Sequence, residues 1–289
     1  LFRSCISNSG YNTPNFNPKR MKMKKILLTL LTASMLITGC TSVTKSGVVG
    51  ADRKQFMLVS AEAMEQSSAQ AYVKTLTAAR SKGELNVDPI LTKRVQDIAK
   101  RLIAQTGVFR DDAPKWKWQV NVINEDTLNA WCMPGGRIVV YSGIIKKLNL
   151  TDAQLAAVMG HEIAHALREH SREQASTDQL KNIGIFAVAT ATGLGDLGAS
   201  ALNLASQYTI SLPFSRSHET EADHIGTELM ARAGYDPKEA VEVWVKMSKM
   251  NVGKIPEILS THPSNESRIK DLKEIAAKLE PIYQAAKKG

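Results

Sequence analysis

The spacing of apolar residues predicts that most of the chain after residue 56 is helical. Between residues 87 and 107 an apolar residue recurs about once per turn, from Leu91 to Leu102. Asp88 followed by Pro89 is typical of a helix start, so this segment is the clearest helix in the sequence. Similar spacing predicts further helices over residues 56–82, 217–233, 237–250 and 265–286.

Strands are predicted only in the middle of the chain. Apolar runs at 116–124 and 137–143 are joined through the turn sequence "MPGG" at 133–136. Cys132 lies in this apolar region, which favours a small core residue over a nucleophilic thiol. The elements together predict an α+β fold that is mostly helical and has a small central β-sheet.

Two further signals concern the segments after these strands. Thr151 with Gln154 has the pattern of a capping box, which predicts that a helix begins there. The apolar run at 183–205 contains Asp196 and four glycines. These interruptions favour a helical hairpin that turns near 193–198 over a membrane-spanning helix.

The charge of the chain is unevenly distributed. The 289 residues are 43% hydrophobic and carry a formal net charge of +9. Residues 1–39 contain six basic residues and no acidic ones, which leaves 31 basic and 28 acidic residues in the remainder. Because the basic character belongs mostly to the first 39 residues, we do not expect a nucleic-acid partner.

The same leader has the order of an export signal. A positive segment, "MKMKK", precedes a 13-residue apolar run at 26–38. Such a run is too short for a hydrocarbon core of about 30 Å but suits the centre of a signal peptide. The small residues before Cys40 resemble the bacterial lipoprotein box, so residues 21–39 are interpreted as a lipoprotein signal peptide and Cys40 as its lipidated residue. The alternative is an ordinary secretory signal in which Cys40 is incidental.

This interpretation extends to the flanking segments. Thr41, and not Asp, follows the cysteine, which by resemblance to lipoprotein sorting favours the outer membrane, with the protein facing the periplasm. Residues 40–55 have few large apolar groups and are interpreted as a lipidated tether. Residues 1–20 precede the first Met and are interpreted as a non-native or disordered extension.

The sequence "HEIAH" at 161–165 is the strongest chemical signal in the chain. On a helix His161 and His165 differ by only about 40° in direction, so both imidazoles point the same way. Glu162 is about 100° from His161, close enough to reach a group that the two histidines bind. In this arrangement two imidazoles bind Zn²⁺ and the glutamate takes a proton from the water that zinc activates. The alternative is a pair of histidines that make polar contacts in a core helix.

His170 is not expected to complete the site. It lies about 180° around the helix from His161 and about 140° from His165, so we expect it to be solvated. A related zinc pattern requires Gly at 168 and His at 171, where this chain has Arg168 and Ser171. The third ligand must therefore come from another segment.

The segment 214–226 offers that ligand. If it is a helix, Glu219 and Asp223 lie on the side of the apolar and small residues, where a lone carboxylate is costly unless it is paired or binds metal. We therefore expect Glu219 to be a zinc ligand and Asp223 to hydrogen-bond a ligand imidazole. Gly226, one turn further, would allow close approach to the His161 helix. The opposite, solvent-facing side would carry Glu221, His224 and Glu228. The alternative is a helix with a surface salt bridge.

Two histidines and one glutamate leave a fourth zinc position for water, which is typical of a catalytic site. Zinc lowers the pKa of such water toward about 7, and Glu162 can then accept its proton as the water attacks a carbonyl.

Three motifs, "GHEIAHALREHS", "SRSHETEAD" and "THPSNESRI", resemble the zinc metallopeptidase family that includes HtpX and the CAAX prenyl proteases. Within it the chain resembles the bacterial lipoprotein branch of LoiP and BepA. The resemblance covers roughly residues 50–280 and implies that 56–289 is a zincin-like metallopeptidase domain with one zinc ion. It implies the ligands and base named above, and an edge strand that borders the active-site helix and pairs with a substrate peptide. The substrate-binding residues in this strand and its turn would be Asn129, Ala130, Trp131, Gly135 and Gly136.

The third motif adds His262 and Arg268. The resemblance implies that either could stabilise the oxyanion formed when water adds to the peptide carbonyl. In the branch with BepA the matching histidine can instead occupy the open zinc position and keep the enzyme latent. His262 as a loop residue before a helix is an equal alternative.

The resulting hypothesis is a zinc endopeptidase of the bacterial envelope that cleaves unfolded or misassembled envelope proteins. Its expected partners are those substrates, the outer membrane through the N-terminal lipid, and the outer-membrane assembly machinery. A latent or non-proteolytic chaperone or assembly factor that binds outer-membrane proteins through the same groove is the alternative. A peptidoglycan or ester hydrolase is compatible with the ligands, although the resemblance disfavours it. Intramembrane or prenylated substrates are not expected, since no convincing span follows the leader.

Overall fold

The computed structural model describes residues 40–192, 213–249, 257–262 and 266–288. In these ranges the helices are α1 (Ala61–Ser81), α2 (Pro89–Ile103), α3 (Ser142–Lys147), α4 (Asp152–Leu167), α5 (His170–Thr192), α6 (Arg216–Arg232), α7 (Glu239–Ser248), α8 (Glu257–Thr261) and α9 (Glu266–Ala286). The strands are β1 (Cys40–Thr41), β2 (Gln55–Phe56), β3 (Gln119–Ile123), β4 (Ala130–Met133) and β5 (Arg137–Tyr141). The predicted α+β class, mostly helical with a small sheet, is confirmed.

The helix starts follow the capping residues in the sequence. The Asp88 side chain accepts a hydrogen bond from the Leu91 N–H at the start of α2, and Pro89 occupies the first turn. Thr151 and Gln154 form the reciprocal bonds of a capping box at the start of α4. Satisfied N–H groups at these ends explain why both helices begin within two residues of the predicted position.

The central sheet differs in connectivity from the prediction. The two strands predicted from the sequence, now β3 and β5, lie side by side and run parallel. The turn at 133–136 joins β5 to the additional strand β4, which pairs with it in antiparallel orientation. Gly135 and Gly136 both have positive φ in this turn, a conformation that side chains with a Cβ rarely adopt. The strand order β3–β5–β4 leaves β4 at one edge of the sheet.

The sheet separates two apolar clusters. Ala130 and Cys132 of β4 belong to the main core, which also contains the apolar residues of α4 and α6. Trp131 faces the other side and meets Tyr72 of α1 edge to face, with ring centroids 5.9 Å apart. Cys132 is a buried free cysteine, consistent with the small core residue expected from the sequence.

The N-terminal segment 44–59 packs onto the domain. Gln55 is completely buried, and its amide donates to the Arg168 carbonyl oxygen (2.7 Å) and to Glu173 (2.6 Å). Val49 and Ala51 are buried in the main apolar core. The composition of residues 40–55 predicted a tether, because it contains few large apolar groups. Polar side chains such as that of Gln55 hold the segment in place.

Helix α5 extends into the apolar run at 183–205 and ends at Thr192 in the described residues. The predicted turn near 193–198 lies outside the described residues. Among the helices in the described ranges, none combines the length and the apolar character that a membrane crossing requires.

Candidate metal centre

Four buried side chains each bring one ligand atom into a single cluster. His161 and His165 come from α4, Glu219 from α6, and His262 directly follows α8. The Nε2 atoms of His161 and His165 are 3.1 Å apart, and each is 3.5 Å from a carboxylate oxygen of Glu219. The Nδ1 atom of His262 is 3.3 Å from His161 Nε2 and 3.0 Å from Glu219 Oε1.

These separations fit a metal ion with four ligands. Atoms at the corners of a tetrahedron with metal bonds of about 2.0–2.1 Å lie about 3.3 Å from one another. These residues lie up to 101 positions apart in the chain. If Oε1 is the atom that Glu219 contributes, four of the six ligand-atom distances lie between 3.0 and 3.5 Å. Imidazole nitrogens and a carboxylate oxygen are also ligands that zinc accepts. The donor set therefore fits the group that the sequence motifs imply.

Asp223 orients the first histidine. The Nδ1 atom of His161 lies 2.9 Å from Asp223 Oδ1, and both groups are buried. A proton on Nδ1 that is donated to this carboxylate leaves the Nε2 lone pair directed at the cluster. Asp223 is four residues after Glu219 on α6. One helix therefore supplies both the candidate ligand Glu219 and the carboxylate that orients the candidate ligand His161.

Arg268 lies against the carboxylates. Its guanidinium contacts Asp223 at 2.7 Å and 2.8 Å and Glu219 Oε2 at 2.6 Å. It also stacks over the Trp244 ring, 3.9 Å from the centroid. The family resemblance implied that Arg268 could stabilise the oxyanion. This position instead favours a role in holding the two carboxylates, because the guanidinium faces them from within the buried interior.

Glu162 is a buried carboxyl group beside the cluster. Among the described residues its Oε1 atom has no hydrogen-bond partner, and it lies 3.5 Å from His262 Nε2. Burial raises the pKa of Glu162, although His262 and His161 partly offset the effect. A carboxylate with a raised pKa and an unused lone pair is suited to accept a proton from water.

Two glycines bring the helices of the site together. A Cβ on Gly226 of α6 would lie 2.6 Å from the His161 backbone nitrogen and 2.8 Å from the Gly160 carbonyl carbon. A Cβ on Gly160 would lie 2.8 Å from the Gly226 carbonyl oxygen. The backbones of α4 and α6 therefore touch, and this contact brings Glu219 within reach of the two histidines.

His170 is not solvated, which corrects the sequence prediction. It is completely buried, with Nδ1 2.9 Å from His165 Nδ1 and Nε2 3.0 Å from Glu221 Oε2. The predicted directions hold only for one continuous helix through position 170. The structure instead ends α4 at Leu167 and places Glu169 at φ 52°, so His170 begins the new helix α5 in a different direction.

Glu221 and Glu228 were also expected on a solvent-facing side, and both are buried. The N-terminal segment covers this side of α6. Arg53 contacts Glu221, and the Val48 and Val49 N–H groups donate to Glu228. His224, the third residue of that side, is half-buried and lies 2.6 Å from Asp271 of α9.

The predicted substrate-binding residues lie on and beside the edge strand β4. The Asn129 carbonyl accepts from the Tyr141 N–H of β5, so antiparallel alternation directs the main-chain groups of Ala130 and Cys132 to the free edge. The Asn129 side chain caps the Ala130 N–H at 2.9 Å. The buried Trp131 side chain packs against α1, and Gly135 and Gly136 form the turn after the strand.

Metal binding should release a proton. Burial alone would lower the pKa of His161, but its hydrogen bonds to Asp223 and Glu219 overcome this effect and raise the pKa to about 10. In the metal-free protein the His161 imidazole therefore carries protons on both nitrogens at neutral pH, and a metal ion that binds Nε2 must displace the proton there. We expect zinc affinity to fall about tenfold per unit as the pH decreases below this pKa. Calorimetric titrations in two buffers with different ionisation enthalpies count the protons; release of none contradicts the prediction.

Residues 89–276 match the model of a family described as Peptidase family M48. The chain is 34% identical over 226 residues to the mitochondrial metalloendopeptidase OMA1 of Schizosaccharomyces pombe, covering 77% of this chain and 64% of the relative. It is 29% identical over 228 residues to the beta-barrel assembly-enhancing protease of Escherichia coli K12, covering 75% of this chain and 45% of the relative.

A third relative, the mitochondrial metalloendopeptidase OMA1 of Arabidopsis thaliana, is 40% identical over 153 residues, which cover 53% of this chain and 30% of the relative. The chain therefore spans less than two thirds of the length of each of these relatives. All three are named as peptidases, so the alternative of a non-proteolytic chaperone finds no support in these matches. They do not distinguish the HtpX and CAAX prenyl protease branch or a lipoprotein branch, which stay predictions.

The predicted location at a bacterial outer membrane is contradicted by the OMA1 relatives, which are mitochondrial by name. The leader composition could not have decided this point. A basic segment without acidic residues is typical of mitochondrial transit peptides as well as of export signals. The acylation of Cys40 stays a prediction.

A buried cluster of candidate metal ligands and the family match lead to the same conclusion. Since the match covers more than half of the residues, the chain belongs to peptidase family M48, a family of metallopeptidases.

Proposed function

We propose that this chain is a zinc endopeptidase that hydrolyses peptide bonds in unfolded or misassembled proteins. The observation that carries the proposal is the Glu162 carboxylate, which is buried beside the cluster of His161, His165 and Glu219. A metal site with a purely structural role has no use for a carboxylate at this position. The names of the relatives, a metalloendopeptidase and a protease, support the reaction class.

In this proposal His161, His165 and Glu219 hold the zinc ion. Zinc, when bound, supplies a Lewis acid that polarises the peptide carbonyl and lowers the pKa of water. Glu162 accepts the proton of the attacking water and can then deliver it to the leaving amine. Asp223 keeps the His161 imidazole in the tautomer that directs Nε2 at the metal, and Arg268 holds Asp223 and Glu219 in place.

The edge strand β4 is the proposed site for the substrate backbone. Its free edge offers the Ala130 carbonyl and the Cys132 main-chain groups, to which an extended peptide can add by strand pairing, while the Ala130 N–H is held by the Asn129 side chain. Main-chain pairing recognises any extended segment and requires no particular side chain. This mode of binding therefore suits unfolded proteins as substrates.

Removal of the metal tests the proposed chemistry. We expect the purified protein to cleave unfolded, fluorescently labelled casein, to lose this activity when a chelator strips the metal, and to regain it when zinc is added back. Metal content is measured at each step. Cleavage that persists after complete metal removal would show that the assigned chemistry is wrong.

His262 is proposed to keep the site latent. Its Nδ1 atom occupies the fourth corner of the cluster, where a catalytic zinc site keeps a position for water. The preceding helix α8 is linked to the residues just before β4, because the Ile258 N–H donates to the Leu128 carbonyl at 3.2 Å. The His262 N–H in turn donates to the Ile258 carbonyl at 2.8 Å. A peptide that pairs with β4 can therefore shift the position of His262.

We expect His262→Ala to increase casein cleavage while zinc stays bound, since the three remaining ligands suffice for a catalytic site. Casein cleavage and zinc content are measured on the same preparations. Loss of zinc would make His262 a structural ligand. Reduced cleavage with zinc retained would make it a transition-state donor. If both the wild type and the variant bind zinc and neither cleaves casein, the proposed peptidase activity is wrong.

A further inference from the structure

His165 has a buried hydrogen-bond partner that belongs to neither the ligand set nor the proposed catalytic groups. Its Nε2 atom faces the cluster, while its Nδ1 atom lies 2.9 Å from Nδ1 of His170. The Nε2 atom of His170 in turn lies 3.0 Å from Glu221 Oε2. The side chains of His165, His170 and Glu221 are thus connected one after another by hydrogen bonds that end at a carboxylate.

Only one arrangement of protons satisfies this chain when a metal occupies Nε2 of His165. The Nδ1 atom of His165 must then carry the proton of the neutral imidazole and donate it. Nδ1 of His170 must accept, which requires the proton of His170 on Nε2, from which it donates to Glu221. The chain of acceptors therefore specifies the tautomers of both histidines.

The carboxylate at the end of the chain is itself held firmly. Glu221 Oε2 accepts from Arg168 Nε at 2.8 Å, and Glu221 Oε1 accepts from Arg53 Nε at 2.5 Å. Arg168 is completely buried, and its guanidinium also contacts Thr44 and the Arg53 carbonyl. Residues of the N-terminal segment thus complete the surroundings of Glu221.

The two ligand histidines are therefore supported in different ways. His161 reaches a carboxylate directly, at Asp223, whereas His165 reaches Glu221 only through a second imidazole. Phe214 stacks on the His165 ring at 4.1 Å between centroids and limits its tilt, but supplies no polar partner. Among the described residues His170 is the group whose position can set the rotation of the His165 ring about its metal-facing axis.

We propose that His170, oriented by Glu221, is a positioning residue for the metal ligand His165. The inference rests on the proposed metal site, and it adds a residue that the ligand motif does not contain. Without an acceptor at the position of His170 Nδ1, the His165 ring would lose its preferred rotation. The Nδ1–H of His165 would then be buried without a partner. The consequence is weaker metal binding, and it does not depend on whether the site cleaves peptides.

Two substitutions at position 170 separate the acceptor from the volume of the ring. His170→Phe keeps a ring and removes the acceptor, whereas His170→Asn can place its carboxamide oxygen close to the position of Nδ1. We expect His170→Phe to lower zinc affinity about 10–100-fold and His170→Asn to lower it less. His224→Asn is the matched control, since it removes another histidine–carboxylate contact, to Asp271, away from the cluster.

Zinc affinity is measured by competition with a chromophoric chelator, and cobalt-substituted samples report the ligand geometry through their visible absorption. Circular dichroism of the metal-free proteins shows whether each variant is folded. Equal zinc affinity of the wild type and a folded His170→Phe variant would overturn the proposal. Equal losses for folded Phe and Asn variants would also overturn it, because an acceptor close to the position of His170 Nδ1 would then make no difference to zinc affinity.

A measurement on the unmodified protein covers the case in which the variants do not fold. Nitrogen-15 NMR of the zinc-loaded wild type reports the tautomer of each histidine. The proposal requires His170 protonated on Nε2, and protonation on Nδ1 would overturn it. If the wild type binds no zinc, the proposed metal site itself fails. If it binds zinc with the expected tautomer and does not cleave casein, only the proposed peptidase activity fails.

Discussion

Glu162→Gln is expected to bind zinc as tightly as the wild type and to cleave casein about 10²–10⁴-fold more slowly. The substitution keeps the volume of the side chain and removes its ability to accept a proton at neutral pH. None of the ligand atoms in the cluster belongs to Glu162, so the metal site should remain intact. Burial, which raises the pKa of Glu162, also means that little water can replace the missing base.

The measurement compares casein cleavage and zinc content for the wild type, Glu162→Gln and Glu274→Gln. Glu274 is an exposed residue of α9, so its substitution makes the same chemical change away from the cluster. The comparison is best repeated with His262→Ala present, so that latency does not mask the loss. Equal cleavage by Glu162→Gln and the wild type would exclude Glu162 as the base. Loss of zinc would show that Glu162 supports the metal directly.

The elements that carry the candidate ligands were predictable because their signals are local. His161 and His165 follow from a four-residue spacing on one helix. Glu219 followed from its position among small and apolar residues on a second helix, where an unpaired carboxylate would be costly. The capping signals at Asp88 and Thr151 are also local, and they predicted the first residues of α2 and α4 to within two positions.

The surroundings of the site could not be predicted from one helix at a time. Glu221 and Glu228 lie on the side of α6 opposite its main apolar contacts, and a helical wheel assigns such a side to solvent. That side is covered by residues 44–55, which precede α6 by more than 150 positions and bind it through polar groups. Apolar periodicity carries no signal for a contact of this kind.

The break between α4 and α5 had a similar effect on His170. A continuous helix would have directed this residue away from both ligand histidines. The left-handed residue Glu169 reverses the chain and returns His170 to a position beside His165. Glutamate has no strong preference for positive φ, so the sequence contained no turn signal at this point.

The second large effect is expected at the glycine contact between α4 and α6. A Cβ on Gly226 would lie 2.6–2.9 Å from backbone atoms of Gly160 and His161, and backbone atoms cannot rotate away as a side chain can. Gly226→Ala must therefore push the two helices apart. We expect a decrease of about 1–3 kcal/mol in the free energy of unfolding of the metal-free protein.

Separation of these helices has a chemical consequence as well as a cost in stability. Glu219 and Asp223 are on the α6 side of the contact, and His161 is on the α4 side. A displacement at Gly226 therefore lengthens the distance between Glu219 and the two histidines of α4. Zinc affinity should then fall about 10–100-fold, which is the usual effect of losing the groups that support a metal site. Gly107→Ala is the control, because its Cβ would meet only a Pro114 side-chain carbon at 3.2 Å. Chemical denaturation and chelator competition measure the two effects. A Gly226→Ala protein that matches the control in both would show that the helix contact does not position the ligands.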